Sequence, residues 1–320
     1  MRTLVTTNGR SLATDDAHVA RSFAVCTTEG LWLDIEAPDD DDYRLLEETF
    51  KFHPLTIEDI RHQNQRPKVD DYPDYNFVVI FAAEWHDGAV ASLEHHLYVG
   101  ASYLITVHQE PAPVLRELEE RIAKSPELTN GQPAFLTYMV VDALVDATFP
   151  VLEQLDETVD QLEDEITIKA SEESLNSIYQ LKHEVTDLRR FLGAQRDVFQ
   201  RLITHGIHLQ QQDLTLYYRD VYDHIVRQYE TVDSLRDLLT SAMDVYLSTV
   251  SNRLNATMKQ LTVIASLFLP LSFLTGFFGM NFAYLTGPLE MPYISFFIGV
   301  GIMVAVTLMQ IYLFRRSRWI

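Results

Sequence analysis

The sequence predicts an α+β membrane protein: an N-terminal α/β domain on the cytosolic side, long helices forming a stalk, and two transmembrane helices at the C-terminal end. Three observations predict it. Short β-branched runs broken by turns occupy roughly the first 125 residues. From about Pro133 the strands give way to long helical patterns of Leu, Ile and Val. The chain then ends in two apolar segments, 261–278 and 293–314, neither of which contains a charged residue.

Residues 1–130 form the predicted α/β domain. Strand-like runs lie at 22–26, 30–35, 76–84, 94–99 and 103–108, with helices at 39–50 and 54–60 between them. The acidic stretch 39–42 is placed to start the first helix, because carboxylates favour the positive end of the helix dipole. Residues 131–212 form a helical hairpin of two long helices, 134–168 and 171–205. Ser171-Glu-Glu-Ser174 separates them, with Ser171 as N-cap. Residues 213–260 continue as a stalk helix whose Tyr218, Val221, Ile225, Val232, Leu235, Leu239, Ala242 and Tyr246 recur at helical spacing.

No Gly or Pro interrupts this helix before Pro270, so it runs directly into the first apolar segment. Continuous from Leu214 to Asn281, it would be on the order of 100 Å long at 1.5 Å per residue. One copy cannot bury such a rod, so a symmetric homo-oligomer is expected. Residues 261–281 are then the first transmembrane helix, 282–292 an external loop, 293–314 the second transmembrane helix, and 315–320 a basic tail. Each span suits a hydrocarbon core of roughly 30 Å. Arg253 and Lys259 precede the first span, Arg315, Arg316 and Arg318 follow the second, and the loop has no Lys or Arg. The positive-inside rule therefore places both termini in the cytoplasm of a multi-pass protein of the cell (inner) membrane. The chain does not open on a signal-peptide pattern.

A net charge of −21 against 25 Lys plus Arg repels nucleic acid and anionic lipid surfaces and attracts cations. The single cysteine, Cys26, excludes an internal disulfide and suits a reducing compartment. No phosphate-binding loop, GxSxG or HExxH occurs, so neither a nucleotide-driven pump nor a hydrolase has residues to stand on; the chain reads as no enzyme. A stripe continued along the first span collects Asn255, Met258, Leu261, Ala265, Leu269, Ser272 and Gly276 on one face, leading to Gly279-Met280-Asn281. It has no carboxylate. Two uses fit such a face: lining a pore with neutral oxygens and a greasy narrow part, or packing against the second span, as small-residue faces do.

Several motifs together resemble those of the CorA-type magnesium channels. They are Gly279-Met-Asn-Phe282, Met258-Lys-Gln-Leu-Thr262, Leu269-Pro-Leu-Ser-Phe-Leu-Thr-Gly276, His53-Pro-Leu-Thr-Ile-Glu-Asp-Ile60, Gln65-Arg-Pro-Lys68, Asp142-Ala-Leu-Val-Asp146, Arg219-Asp-Val-Tyr-Asp-His224, Asp244-Val-Tyr-Leu-Ser248 and Ser251-Asn-Arg-Leu-Asn255. They follow the family's order from about Phe50 to Trp319. The resemblance implies a homopentameric funnel that passes divalent cations, Mg2+ foremost with Co2+ and Ni2+, across the lipid bilayer. It implies a selectivity filter of Gly279, Met280 and Asn281, constrictions at Leu261 and Leu269, and an inner amide ring at Asn255. It further implies regulatory Mg2+ between neighbouring cytosolic domains at Glu58, Asp59, Asp142 and Asp220, with Asp223 and His224 as possible neighbours of that site.

Two departures stand out. Phe278 occupies the position of the family's usual tyrosine, and Glu290 precedes Met291-Pro292 where the family's glutamate follows that pair. Two other readings remain open on sequence: a Zn2+, Ni2+ or Co2+ transporter on the same fold, with or without proton coupling, and a membrane-anchored coiled-coil scaffold or sensor.

Overall fold

The computed structural model describes residues 2–7, 9, 11–14, 30–86, 88–129, 132–205, 214–280, 292–317 and 319. The strand expected at 22–26, with Cys26, lies outside the described residues. The chain divides into two compact units, Met1–Met243 and Asp244–Ile320.

The first unit is built on one seven-stranded sheet. Its strands are β1 (Arg2–Thr6), β2 (Ser11–Thr14), β3 (Leu31–Glu36), β4 (Lys68–Asp71), β5 (Asn76–His86), β6 (Ala89–Val99) and β7 (Tyr103–His108). They lie in the order β2-β1-β3-β7-β6-β5-β4. Five of the six pairings are antiparallel, and β3 with β7 is parallel. Side chains alternate across the sheet. Leu31, Leu33 and Ile35 of β3, with Tyr103, Ile105 and Val107 of β7, face a core closed by helix α1 (Asp40–Arg44), a π-helical turn (Leu45–Thr49) and helix α2 (Pro54–His62). Phe52 and Tyr98 stack there at 3.9 Å between ring centroids.

The single helix expected at 39–50 is therefore two pieces. Its start is as expected: Asp39 caps α1, accepting from the Asp41 and Asp42 amides, while Asp42 reaches back to the Asp39 amide. Such a capping box satisfies donors that the first turn leaves open. The buried Arg2 guanidinium of β1 then binds both Asp39 and Asp42, tying the helix to the sheet.

The opposite face of the sheet carries helices α3 (Pro113–Lys124), α4 (Pro133–Asp146), α5 (Thr148–Ile168) and α6 (Glu172–His205). β1, β2, β4 and α3 were not among the expected elements. One helix was expected over 134–168, but the structure breaks it at Ala147. Pro150 is the reason, since it has no N–H to give the Asp146 carbonyl. The break brings the Thr148 hydroxyl to the Ala83 amide of β5, at 3.2 Å. Residues 133–168 are long and apolar enough to cross a membrane, yet 56% of their most apolar window is buried. Their hydrophobicity serves this packing. The Ser171 hydroxyl accepts from the Ser174 amide, as an N-cap should.

Helix α7 (Thr215–Phe278) is a single 64-residue element. Within the first unit its Tyr218, Val221, Ile225, Val232, Leu235, Leu239 and Ala242 are all buried. Gln228 donates from this helix to the Val145 carbonyl at 2.7 Å. In the second unit the rest of α7 accompanies α8 (Pro292–Arg316), and both are long and apolar enough to span a bilayer.

Under α3 the sheet buries a polar nest. Asp34 and Thr106 are partners in the β3–β7 register; the Thr106 hydroxyl donates to Asp34 and accepts from the Trp32 indole. His108 Nε2 lies 3.2 Å from both Asp34 oxygens. Glu119 of α3 enters the same nest, and its Oε1 has no partner among the described residues. Burial, followed by the Asp34 charge, pushes the Glu119 carboxyl from the ordinary 4.5 to about 8.

The sign follows by linkage. Between these two values the folded chain holds a proton that the unfolded chain has released. The stability this confers is complete below pH 4.5 and is lost as pH rises through 8. The span of the shift bounds the effect at about 5 kcal/mol. Glu119→Gln is therefore expected to flatten the pH dependence of unfolding between pH 4.5 and 8 and to raise the denaturation midpoint at pH 8. Urea unfolding of the detergent-solubilised chain at several pH values checks this; parallel wild-type and variant profiles would contradict it.

Candidate functional site

Helix α4 sets Asp142 and Asp146 one turn apart, so both carboxylates lie on one face. Helix α7 brings His224 to them. His224 Nδ1 is 2.7 Å from Asp146 Oδ1, and its ring meets Phe149 edge-on at 5.6 Å. One ligand atom from each of Asp142, Asp146 and His224 lies within 4.8 Å of the other two. The two carboxylates border a cleft of about 470 Å³ that Glu117 and Arg121 also line.

Asp142 is the strained member. Its Oδ1 is buried without a hydrogen-bond partner among the described residues. Burial first, then the Asp146 charge, pushes its carboxyl from 3.8 to about 6, with a further push from Asp220 and a partial offset from His224 and Arg121. The Tyr138 hydroxyl responds to the same field: burial, then Asp142, Asp220 and Asp146, raise it to about 12. An orphaned carboxylate oxygen beside a second carboxylate is an arrangement that a divalent cation would relieve. Two carboxylates suit Mg2+, which takes oxygen and keeps several waters. The imidazole extends the set toward Co2+, Ni2+ and Zn2+.

The other expected acids are placed differently. Glu58 is exposed on α2, 3.8 Å from His62. Asp59 is taken by Lys68, whose Nζ lies 2.8 Å from it and 3.1 Å from Asp70. This pairing gives the Gln65–Lys68 motif a local structural role, since the turn after α2 returns a lysine to the helix's own carboxylate. Asp220 and Asp223 are exposed on α7. The structure thus gathers Asp142 with Asp146 and His224, and leaves Glu58 and Asp59 outside that group. Asp146 was not among the expected ligands, although its i, i+4 spacing from Asp142 is legible in the sequence.

In the second unit, every member of the expected pore face is exposed: Asn255, Met258, Leu261, Ala265, Leu269, Ser272 and Gly276. A different stripe is partly covered, namely Val263, Ser266, Leu267, Pro270, Leu271 and Leu274. Its counterpart on α8 is Gly299, Met303, Val306, Thr307, Gln310, Ile311 and Phe314.

 These α8 positions recur at helical spacing, as a packing face must. The seam therefore lies to one side of the expected pore face, which the second helix leaves uncovered. At the end of α7, the Gly279 amide donates to the Thr275 carbonyl at 2.9 Å and the Met280 amide to the Phe277 carbonyl at 3.3 Å. A Cβ on Gly279 would stand 3.0 Å from the Thr275 carbonyl oxygen, so the position is tight for any side chain. Asn281, Glu290 and the remainder of 281–291 lie outside the described residues.

The family model for the CorA-like Mg2+ transporter protein matches residues 28–316. The chain belongs to that family. It is 34% identical over 281 residues to the cobalt/magnesium transport protein CorA of Thermotoga maritima, covering 85% of this chain and 78% of that one. Its fold is similar to the complete structure of the CorA magnesium transporter from Methanocaldococcus jannaschii, with a TM-score of 0.84 and 22% identity over 100% of this chain and 99% of the other. It is also similar to the full-length CmaX protein, with a TM-score of 0.75 and 19% identity over 99% and 97% of the two chains.

The raised Asp142 carboxyl has a direct consequence. The stability it contributes is complete below pH 3.8 and is lost as pH rises through about 6. At pH 8 a neutral side chain should therefore be preferred. Asp142→Asn is expected to raise the melting temperature of the metal-free chain at pH 8 and to leave it nearly unchanged at pH 4. Melts at both pH values in the presence of a chelator check this, and an equal effect at both would contradict the assigned strain.

Proposed function

We propose that this chain is a passive, gated path for divalent cations across the cell membrane, with Mg2+ as principal cargo and Co2+ and Ni2+ also accepted. One observation carries the reading most directly: the carboxylate-free face from Asn255 to Gly276 is left uncovered by the second apolar helix. Such a face can line a channel once several copies assemble around an axis, and five copies are proposed. The two apolar helices of the second unit are the membrane spans, and both termini are cytoplasmic.

Neutral ligands suit this cargo. Mg2+ dehydrates reluctantly, so a ring of Asn281 amides would hydrogen-bond its water shell instead of stripping it. Gly279 and Met280 complete the filter. Binding through water is weak enough for the ion to leave again, as conduction requires. Leu261 and Leu269 would form greasy constrictions that close by dewetting, and Asn255 would receive the ion at the inner end.

Regulation is assigned to carboxylates of the first unit. Asp59 and Glu58 of one copy would share Mg2+ with Asp220 of the next, and Asp142 would contribute from α4. The Lys68 partner of Asp59 would have to give way or share. Occupied sites stabilise the closed arrangement by RT ln(1 + [L]/Kd), about 1.4 kcal/mol per site at tenfold excess. Several sites around one ring make the switch steep.

Asn281→Ala is expected to abolish Mg2+ uptake into proteoliposomes while the oligomer still assembles, because a methyl group offers nothing to the ion's waters. Wild-type flux through an assembled Asn281→Ala protein would remove the filter and favour a membrane-anchored scaffold. Running the same assay with Co2+, Ni2+ and Zn2+, with and without a pH gradient, separates passive Mg2+ flow from proton-coupled transport of another ion.

The regulatory proposal has its own test in limited proteolysis over a Mg2+ titration. Asp220→Asn and Asp59→Asn should both need more Mg2+ than wild type for protection of the first unit, and Asp220→Asn should still transport. Superimposable protection curves for all three proteins would leave these carboxylates as ordinary solvated surface.

A further inference from the structure

Pro270 lies inside α7. Its nitrogen carries no hydrogen, so the carbonyl four residues earlier, that of Ser266, loses its helical donor. In the second unit that carbonyl is not left open: Nε2 of Gln310, on α8, donates to it at 3.0 Å. Gln310 is the one amide side chain in the apolar segment 293–314. A carbonyl can only accept, so the amide nitrogen must be the end that faces it. Oε1 of Gln310 is buried and has no partner among the described residues. Only the donor half of this amide is in use.

The position of the bond gives it a consequence. Ser266 is adjacent to Ala265 and Pro270 to Leu269, so the tie is made between the levels of the two proposed constrictions, Leu261 and Leu269. In hydrocarbon no water can replace it. An orphaned Ser266 carbonyl would draw the helix toward another local geometry, and the residues beyond Pro270 would turn relative to those before it.

We propose that Gln310 is a positioning residue: its side-chain amide substitutes for the N–H that Pro270 lacks, locks the two apolar helices in one register, and keeps Leu261 and Leu269 on a common line. The effect on transport rests on the conduction reading above; the bond itself does not.

A four-protein cycle tests it: wild type, Gln310→Met, Pro270→Ala and the double variant. Methionine keeps the length and apolar volume of glutamine and removes the donor. Pro270→Ala returns a backbone N–H to the Ser266 carbonyl. The first readout, which needs no transport, is the melting temperature of the detergent-solubilised oligomer. The second is the concentration dependence of Mg2+ uptake into proteoliposomes.

Gln310→Met alone is expected to lower the melting temperature and to reduce maximal uptake by about fivefold, the scale of one hydrogen bond. The Mg2+ concentration for half-maximal uptake should stay as in wild type, because the filter is untouched. In the Pro270→Ala background the same substitution should leave the melting temperature nearly unchanged and alter maximal uptake by less than about twofold. Equal losses in both backgrounds, or no loss in either, would overturn the proposal. Should Gln310→Met fail to assemble, recovery of the oligomer in the double variant supports the proposal and continued failure overturns it. A wild-type protein that carries no Mg2+ would end the conduction reading, while the melting cycle would still decide the bond.

Discussion

Every backbone polar group withdrawn from water must find a partner, and this requirement shapes both units of the chain. In the first, the sheet meets it strand by strand, and side chains complete what the ladders leave open. Gln195 accepts from the Phe81 amide at 2.9 Å and the Thr148 hydroxyl from the Ala83 amide. Two prolines show the same rule with different outcomes. Pro150 withholds a donor from the Asp146 carbonyl and the helix breaks at Ala147. Pro270 withholds one from Ser266 and the helix continues, because Gln310 supplies the missing bond.

The cost of unpaired charge is spent selectively. Arg2 is buried, but it holds two carboxylates of the α1 capping box and so fastens the helix to the sheet. The Asp34–His108 pair is similarly closed, with Thr106 and Trp32 completing it. Asp142 has no such closure. It faces Asp146 beside a cleft, with one oxygen unpartnered among the described residues. Glu119 under α3 is strained as well, but Asp142 has a second carboxylate and an imidazole within reach, the kind of perturbed cluster that a candidate site presents.

Much of this organisation was legible in the sequence, for physical reasons that differ by element. β7 matched its expected bounds, since its alternating residues bury on two faces of one sheet. The buried stripe of α7 was also legible, because helical spacing from Tyr218 to Ala242 has no other use. β1, β2 and β4 were not, for they are short and take their stability from cross-strand partners distant in sequence. Asp39 showed its capping role through local chemistry, whereas its bond to Arg2 spans 37 residues and has no local signature. Likewise the motif around Asp142 could be seen, but the pairing of His224 with Asp146 depends on how α7 crosses α4. Lys68 was read as part of a motif, and only the fold shows it neutralising Asp59.

The distribution of charge joins the two units' proposed tasks. Of the 46 Asp and Glu residues, only Asp244 and Glu290 lie beyond Met243. A conducting face must release its ion on every passage, so a carboxylate there would hold a divalent cation too long. A sensor must do the opposite and retain the ion at cytosolic concentrations, for which carboxylates are the suitable ligands. Placing both on one surface would compromise each. The chain separates them, with neutral amide, hydroxyl and apolar residues along the face from Asn255 to Gly276, and strained or exposed carboxylates on α2, α4 and the first part of α7. Residues of both kinds lie on the one helix α7, Thr215–Phe278. The gating proposed above would then need no separate relay, only a helix that stays continuous through Pro270.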